Sequence, residues 1–281
     1  MSHDDKTRPS PSRAQQRSLS RRVVLVSGGS ALAYAGSLAV GLGCSVETGG
    51  GRATLSTRVK PVSKEPFTNA YHWTVRLQHA YLSIGSLTYF EGDALGFRRL
   101  FRALATPTAH AHPGHYQAGG VVAEMLDAQS VDLTSGITEL GASRGILETA
   151  RSARLTFAAP PAPPFARELD GAVVRVSGQA ESGDTRVHFS SSIFATDLDA
   201  ASERPDVEGC PFSNGALEET GVVTLSVDLE LWFDQVDFAD VAPGTSEEPT
   251  ELVSDGRARR ALVRGITKAA AYQLTFTAET T

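Results

Sequence analysis

The chain has 281 residues, 41% of them hydrophobic, 21% charged and 7% aromatic, with a formal net charge of −6. That composition excludes a wholly disordered chain and a multi-span membrane protein. The 26 Gly fall without a three-residue period, which excludes collagen, and two Cys cannot build a disulfide framework.

The first 44 residues read as an address. Lys6, Arg8, Arg13, Arg17, Arg21 and Arg22 make a basic start, and the uncharged run from Val23 to Gly43 follows. The segment Ser20-Arg21-Arg22-Val23-Val24-Leu25 resembles the twin-arginine (Tat) export signal of bacteria. The run ends Val40-Gly41-Leu42-Gly43-Cys44, which resembles a lipoprotein cleavage site with Cys44 as the acylated residue. Gly41 takes the place where such sites carry Leu. The resemblance covers only these residues. It implies a signal peptide over 1–43, a lipidated Cys44, and export to the bacterial cell envelope with a membrane anchor. Residues 44–60, opening Ser45-Val46-Glu47-Thr48-Gly49-Gly50-Gly51, read as a flexible tether. A single-span anchor left uncleaved and a soluble exported form are the competing readings.

Residues 1–43 hold six basic and two acidic side chains, so the remainder carries a net charge of −10. A chain so acidic is a poor partner for nucleic acid and attracts cations instead.

Residues 61–281 read as one domain of antiparallel β-sandwich type, mainly β with one or two short helices. Val75, Leu77, His79 and Tyr81 share one face by two-residue period, with a slip in phase after Tyr81. Residues 97–104 suggest a short helix, and 121–126 are ambiguous. A strand is expected within 169–178. Val187, Phe189 and Ile193 alternate with polar residues. The run from Val223 to Phe233 alternates most clearly and predicts one long strand. Residues 159–164 and 243–249 are Pro-rich loops, 254–266 suggest a helix capped by Ser254, and Tyr272, Leu274 and Phe276 mark a last strand.

Histidines carry the chemical clue. The segment His110-Ala111-His112-Pro113-Gly114-His115 places His110 and His112 on one side of an extended chain. Pro-Gly at the centre of a turn then brings His115 back towards His112. Three imidazoles suit copper or zinc, and three with an open fourth place form a known zinc arrangement. His79 is the expected fourth ligand, since its parity places it among core residues and a buried imidazole needs a partner. His188 and His72 fall on polar faces. Tyr116, Glu91 and Glu124 are chemically competent but nothing in the spacing selects them.

Other signals are weaker. Gly141-Ala142-Ser143-Arg144-Gly145 matches the nucleophile elbow of serine hydrolases, but the downstream chain reads as antiparallel strands. Cys210 lacks the following His of a cupredoxin site and reads as a small buried residue. Asp228, Glu230, Asp234, Asp237 and Asp240 lack calcium-loop spacing and read as a solvated face.

The sequence therefore predicts a binding protein rather than an enzyme: an envelope lipoprotein that captures, buffers or hands on copper or zinc. Its His cluster is similar, by analogy alone, to those of periplasmic copper- and zinc-binding proteins. A metal-free structural β-sandwich holding an unknown envelope protein is the rival, and a His-metal enzyme is the third reading.

Overall fold

A computed structural model describes residues 51–62, 66–94, 116–198 and 205–279. All belong to one compact unit, Thr48–Thr281. In chain order the strands are β1 (Arg52–Pro61), β2 (Phe67–Thr68), β3 (Thr74–Phe90), β4 (Val121–Met125), β5 (Gln129–Asp132), β6 (Thr138–Ile146) and β7 (Ser152–Phe157). There follow β8 (Val174–Ser182), β9 (Thr185–Ile193), β10 (Asp206–Ser213), β11 (Thr220–Val227), β12 (Thr250–Glu251) and β13 (Tyr272–Ala278). The helices among the described residues are α1 (Ala166–Leu169), α2 (Ala195–Leu198), α3 (Leu229–Phe233) and α4 (Arg257–Ile266). The protein is thus a mainly β single domain, as the periodicity predicts, with more helices than expected.

The thirteen strands among the described residues all join one sheet. The 17-residue β3 organises it. Its N-terminal half pairs with β8, which continues to β9 and β12. Its C-terminal half pairs with β4 on one side and β7 on the other. Hydrogen-bonded neighbours then run from β4 through β6, β1, β11, β13 and β10 to β7, so the sheet closes on itself through β3. Closure removes the free edges that an open sheet must protect. Most pairs are antiparallel; β1 with β11, β10 with β13 and β12 with β9 are parallel.

Three expectations are corrected. Residues 52–60, assigned to the tether, form most of β1, flanked by β6 and β11. Ala53, Leu55, Thr57 and Val59 alternate into the core, so the domain begins before residue 61. The long strand over 223–233 stops at Val227, where Asp228 turns the chain. Its carboxylate accepts from the backbone N–H of Glu230 at 3.0 Å and of Leu231 at 3.3 Å, capping α3. Alternation alone cannot tell a strand from a short helix whose Leu229, Trp232 and Phe233 are buried. Asp228→Ala is expected to destabilise the domain by about 1 kcal/mol, read as a lower urea midpoint at unchanged m-value.

The third correction concerns β3. Gln78 is an extra residue between the pairs Leu77↔Gly178 and His79↔Ser177. This bulge moves the phase slip ahead of His79 rather than after Tyr81. Val75 and Leu77 point inward before it, and Ala80, Leu82 and Ile84 after it. His79 and Tyr81 therefore lie on the outer face.

The core is continuous. Over the inner face of β8 and β9, Phe189 packs on Phe233 (centroids 5.6 Å apart) and on Phe238 (4.8 Å), and Trp73 meets Phe238 edge-on. Inside the closed part of the sheet sits a buried polar trio. Thr57 Oγ1 and Ser143 Oγ are 2.5 Å apart, and Tyr89 Oη is 2.8 Å from Ser143 Oγ.

Candidate functional site

His110, His112 and His115 lie outside the described residues, as do Cys44, Arg21, Arg22 and the whole of the helix expected over 97–104. The chain on either side of 95–115 is described, and it is clamped. Glu91 N–H donates to Gly120 O at 3.1 Å and Gly92 N–H to Ala118 O at 2.7 Å. Tyr116 Oη is 2.6 Å from Ser152 Oγ, whose hydroxyl donates to Gly92 O at 2.5 Å. The Tyr116 ring stands edge-on to Phe90 with centroids 6.4 Å apart. Burial raises the Tyr116 pKa, so its phenol stays neutral and available for that bond. The backbones approach so closely that a Cβ on Gly92 would stand 2.1 Å from Gln117 O. The clamp thus fixes, at the end of β3, the residue that follows His115 directly in the chain. Glu91 is exposed beside it, and Asp93 pairs with Arg151 at 3.5 Å.

His79 is half exposed, its side chain 45% accessible, in place of the buried position expected from parity. The imidazole is nevertheless held. Nδ1 lies 3.1 Å from Tyr81 Oη and 3.5 Å from Asp132 Oδ2. The ring stacks on Tyr81 (5.2 Å, 12° between planes), and Tyr81 leans on Phe165. Asp132 is itself anchored, accepting from the N–H of Ala80 at 3.3 Å and of Thr134 at 3.0 Å, and from Thr134 Oγ1 at 2.8 Å. Desolvation, then the Asp132 charge, raises the Tyr81 pKa and keeps the phenol neutral. A carboxylate behind one ring nitrogen is what orients metal-binding imidazoles. The structure does not place His79 beside the clamp: ten residues of β3 lie between His79 and Phe90, so the two are about 36 Å of strand apart.

His72 is exposed at a turn with φ of 62°, and His188 is half buried on β9. Among the described residues no three His, Cys, Asp or Glu side chains converge to hold a metal. Ser143 lies in the middle of β6, buried and bonded to Thr57 and Tyr89, with no strand-to-helix elbow around it. Cys210 is fully buried, and burial pushes its thiol up to about 12, the mark of an inert side chain. The carboxylates expected on a solvated strand face belong instead to a cap and to loops: Asp237 accepts from Trp73 Nε1 at 3.1 Å, Asp240 pairs with Arg257, and Asp234 with Lys268.

Fold and site together define a mainly β single-domain protein in which Gly92, Tyr116 and Ser152 form a clamp at one end of the longest described strand. No family model, curated protein or solved structure matches the chain. Among the described residues no helix is long and apolar enough to cross a membrane.

Proposed function

We propose that the protein is an envelope-anchored lipoprotein that binds copper or zinc through His110, His112 and His115, for capture, buffering or transfer. The observation that carries the reading is three imidazoles within six residues around Pro113-Gly114. The clamp at Gly92, Tyr116 and Ser152 supports it, because fixing the base of a ligand-bearing segment lowers the entropy lost on binding. The acidic domain draws cations towards it. His79 is the fourth ligand in this reading, and the Asp132 carboxylate behind it suits that role. It requires the segment to run back along β3, so His79 is tested separately. Cys44, after cleavage behind the Arg21-Arg22 signal, supplies the membrane anchor.

The test is metal analysis of the full chain after exposure to copper or zinc and gel filtration. About one equivalent should be retained, and the chain with His110, His112 and His115 all replaced by Ala should retain none. Saturating metal should raise the melting temperature by several degrees, since ligand at a hundred times Kd stabilises by about 2.7 kcal/mol. His79→Ala should weaken binding about tenfold or more if His79 is a ligand. If it changes nothing, the site is three histidines and water. Equal retention by the triple variant would refute the proposal.

A further inference from the structure

A second site lies on the outer face of β3, β8 and β9, where a groove of about 340 Å³ takes no part in the metal reading. Its floor is built by register. Arg76 stands opposite Gln179, and Gln179 opposite His188, so the three form one row across the strands. Neighbours in such a row are roughly 5 Å apart, which puts Arg76 and His188 about 10 Å from each other. The bulge adds Gln78 to the same face, and Ser177 follows along β8.

The wall is a strap over residues 242–249, which contributes Ser246 and Pro249. It is pinned to the sheet: His188 N–H donates to Pro243 O at 2.7 Å, and Leu252 N–H to Ser190 O at 2.8 Å. Gly244 makes the approach possible. Its φ is 57°, and a Cβ there would stand 2.7 Å from His188 O and 2.8 Å from Thr250 N. Within the strap, Thr245 N–H donates to Glu248 O, and Thr245 Oγ1 accepts from Glu248 N–H, each at 3.0 Å. Floor and wall are therefore preformed.

The side chains define the ligand. Arg76 is the cation. The neighbouring carboxylate, Glu181, is taken by Arg186 Nε at 2.5 Å and Gln179 Nε2 at 2.8 Å, and among the described residues Arg76 forms no ion pair. With its amide nitrogen turned to Glu181, Gln179 offers its amide oxygen as an acceptor. Gln78, Ser177, Ser246 and the His188 ring can each donate and accept. One guanidinium matches one carboxylate in two parallel bonds. The surrounding neutral groups match hydroxyls. An apolar ligand would strand these polar atoms. A polyanion would meet one cation on a strongly acidic domain. The volume sits at the low end for small-molecule sites.

We propose that this groove binds an acidic sugar, its carboxylate on Arg76 and its hydroxyls on Gln78, Ser177, Gln179, His188 and Ser246. The proposal rests on no part of the metal reading.

Isothermal titration of the full chain with glucuronate, glucose and acetate tests it. Glucuronate should bind saturably, and glucose and acetate each at least about tenfold more weakly, because each offers half of the recognised groups. Arg76→Gln changes an exposed residue and should weaken glucuronate binding about tenfold or more, with the melting temperature unchanged. Ser246→Trp, on the exposed strap, should block the groove from the opposite wall. Absence of saturable glucuronate binding, acetate binding as tightly as glucuronate, or wild-type affinity in either variant would overturn the proposal.

Discussion

Alkali is expected to destabilise this domain strongly between pH 9.0 and about 12. Cys210 and Tyr89 are both fully buried, and burial raises both groups to about 12, from ordinary values of 9.0 and 10.0. Tyr89 rises in spite of its bond to Ser143, which acts in the opposite direction. Tyr272, also fully buried, moves the same way. The sign follows from proton counting. Above its ordinary value each group ionises in the unfolded chain while the folded chain keeps its proton, so stability falls as pH rises. The stabilisation is complete below pH 9.0, declines first through Cys210, then through Tyr89 above 10.0, and is lost at about 12.

At about 1.4 kcal/mol per unit, Cys210 accounts for roughly 4 kcal/mol and Tyr89 for roughly 3 kcal/mol. Natural domains hold about 5–15 kcal/mol in all, so the two remove a large share of the stability. Urea midpoints measured at rising pH should show the decline. Cys210→Ala should postpone its onset to the tyrosine range, and Tyr89→Phe should flatten its later part. A stability that stays level to the end of the range would mean that these groups are not sealed from water.

The second large effect is expected at the seam between α3 and α4. Trp232 is fully buried and its ring lies 6.3 Å from that of Tyr272, whose hydroxyl donates to Ile266 O at 2.8 Å. The helices approach through Gly265, where a Cβ would stand 2.2 Å from Trp232 O. So close a crossing leaves little room for neighbours to collapse into a void. Trp232→Ala is therefore expected to cost about 3–5 kcal/mol, a fall of roughly 6–20 °C in melting temperature for a domain of this size. Calorimetry reads this directly. A loss below about 1 kcal/mol would show that the seam is loosely packed.

Local patterns carried the strands at 187–193 and 272–276, because each exposes one face and buries the other. They failed where the cause was non-local. The alternation Ala53, Leu55, Thr57, Val59 was present, but the Gly-rich stretch before it drew the tether reading too far along the chain. The helix at Leu229–Phe233 keeps an apolar residue at every second place, and only the capping carboxylate of Asp228 separates it from a strand. The bulge at Gln78 leaves no mark in composition, yet it turns His79 from the core to the outer face. Closure through β3 depends on a strand long enough to serve two sets of neighbours, which no window of a few residues reveals. The row Arg76, Gln179, His188 draws on β3, β8 and β9, and the trio Thr57, Tyr89, Ser143 on β1, β3 and β6. Neither shows as a motif. The triple-histidine segment, by contrast, is legible because its members are adjacent in sequence.

That segment is the centre of the functional proposal, and X-ray absorption at the metal edge of the copper- or zinc-loaded full chain tests it most directly. The account predicts at least three imidazole nitrogens around the ion, at about 2.0–2.1 Å for zinc, lost when His110, His112 and His115 are replaced by Ala. A shell of oxygens alone, or an imidazole signal unchanged in the triple variant, would contradict it.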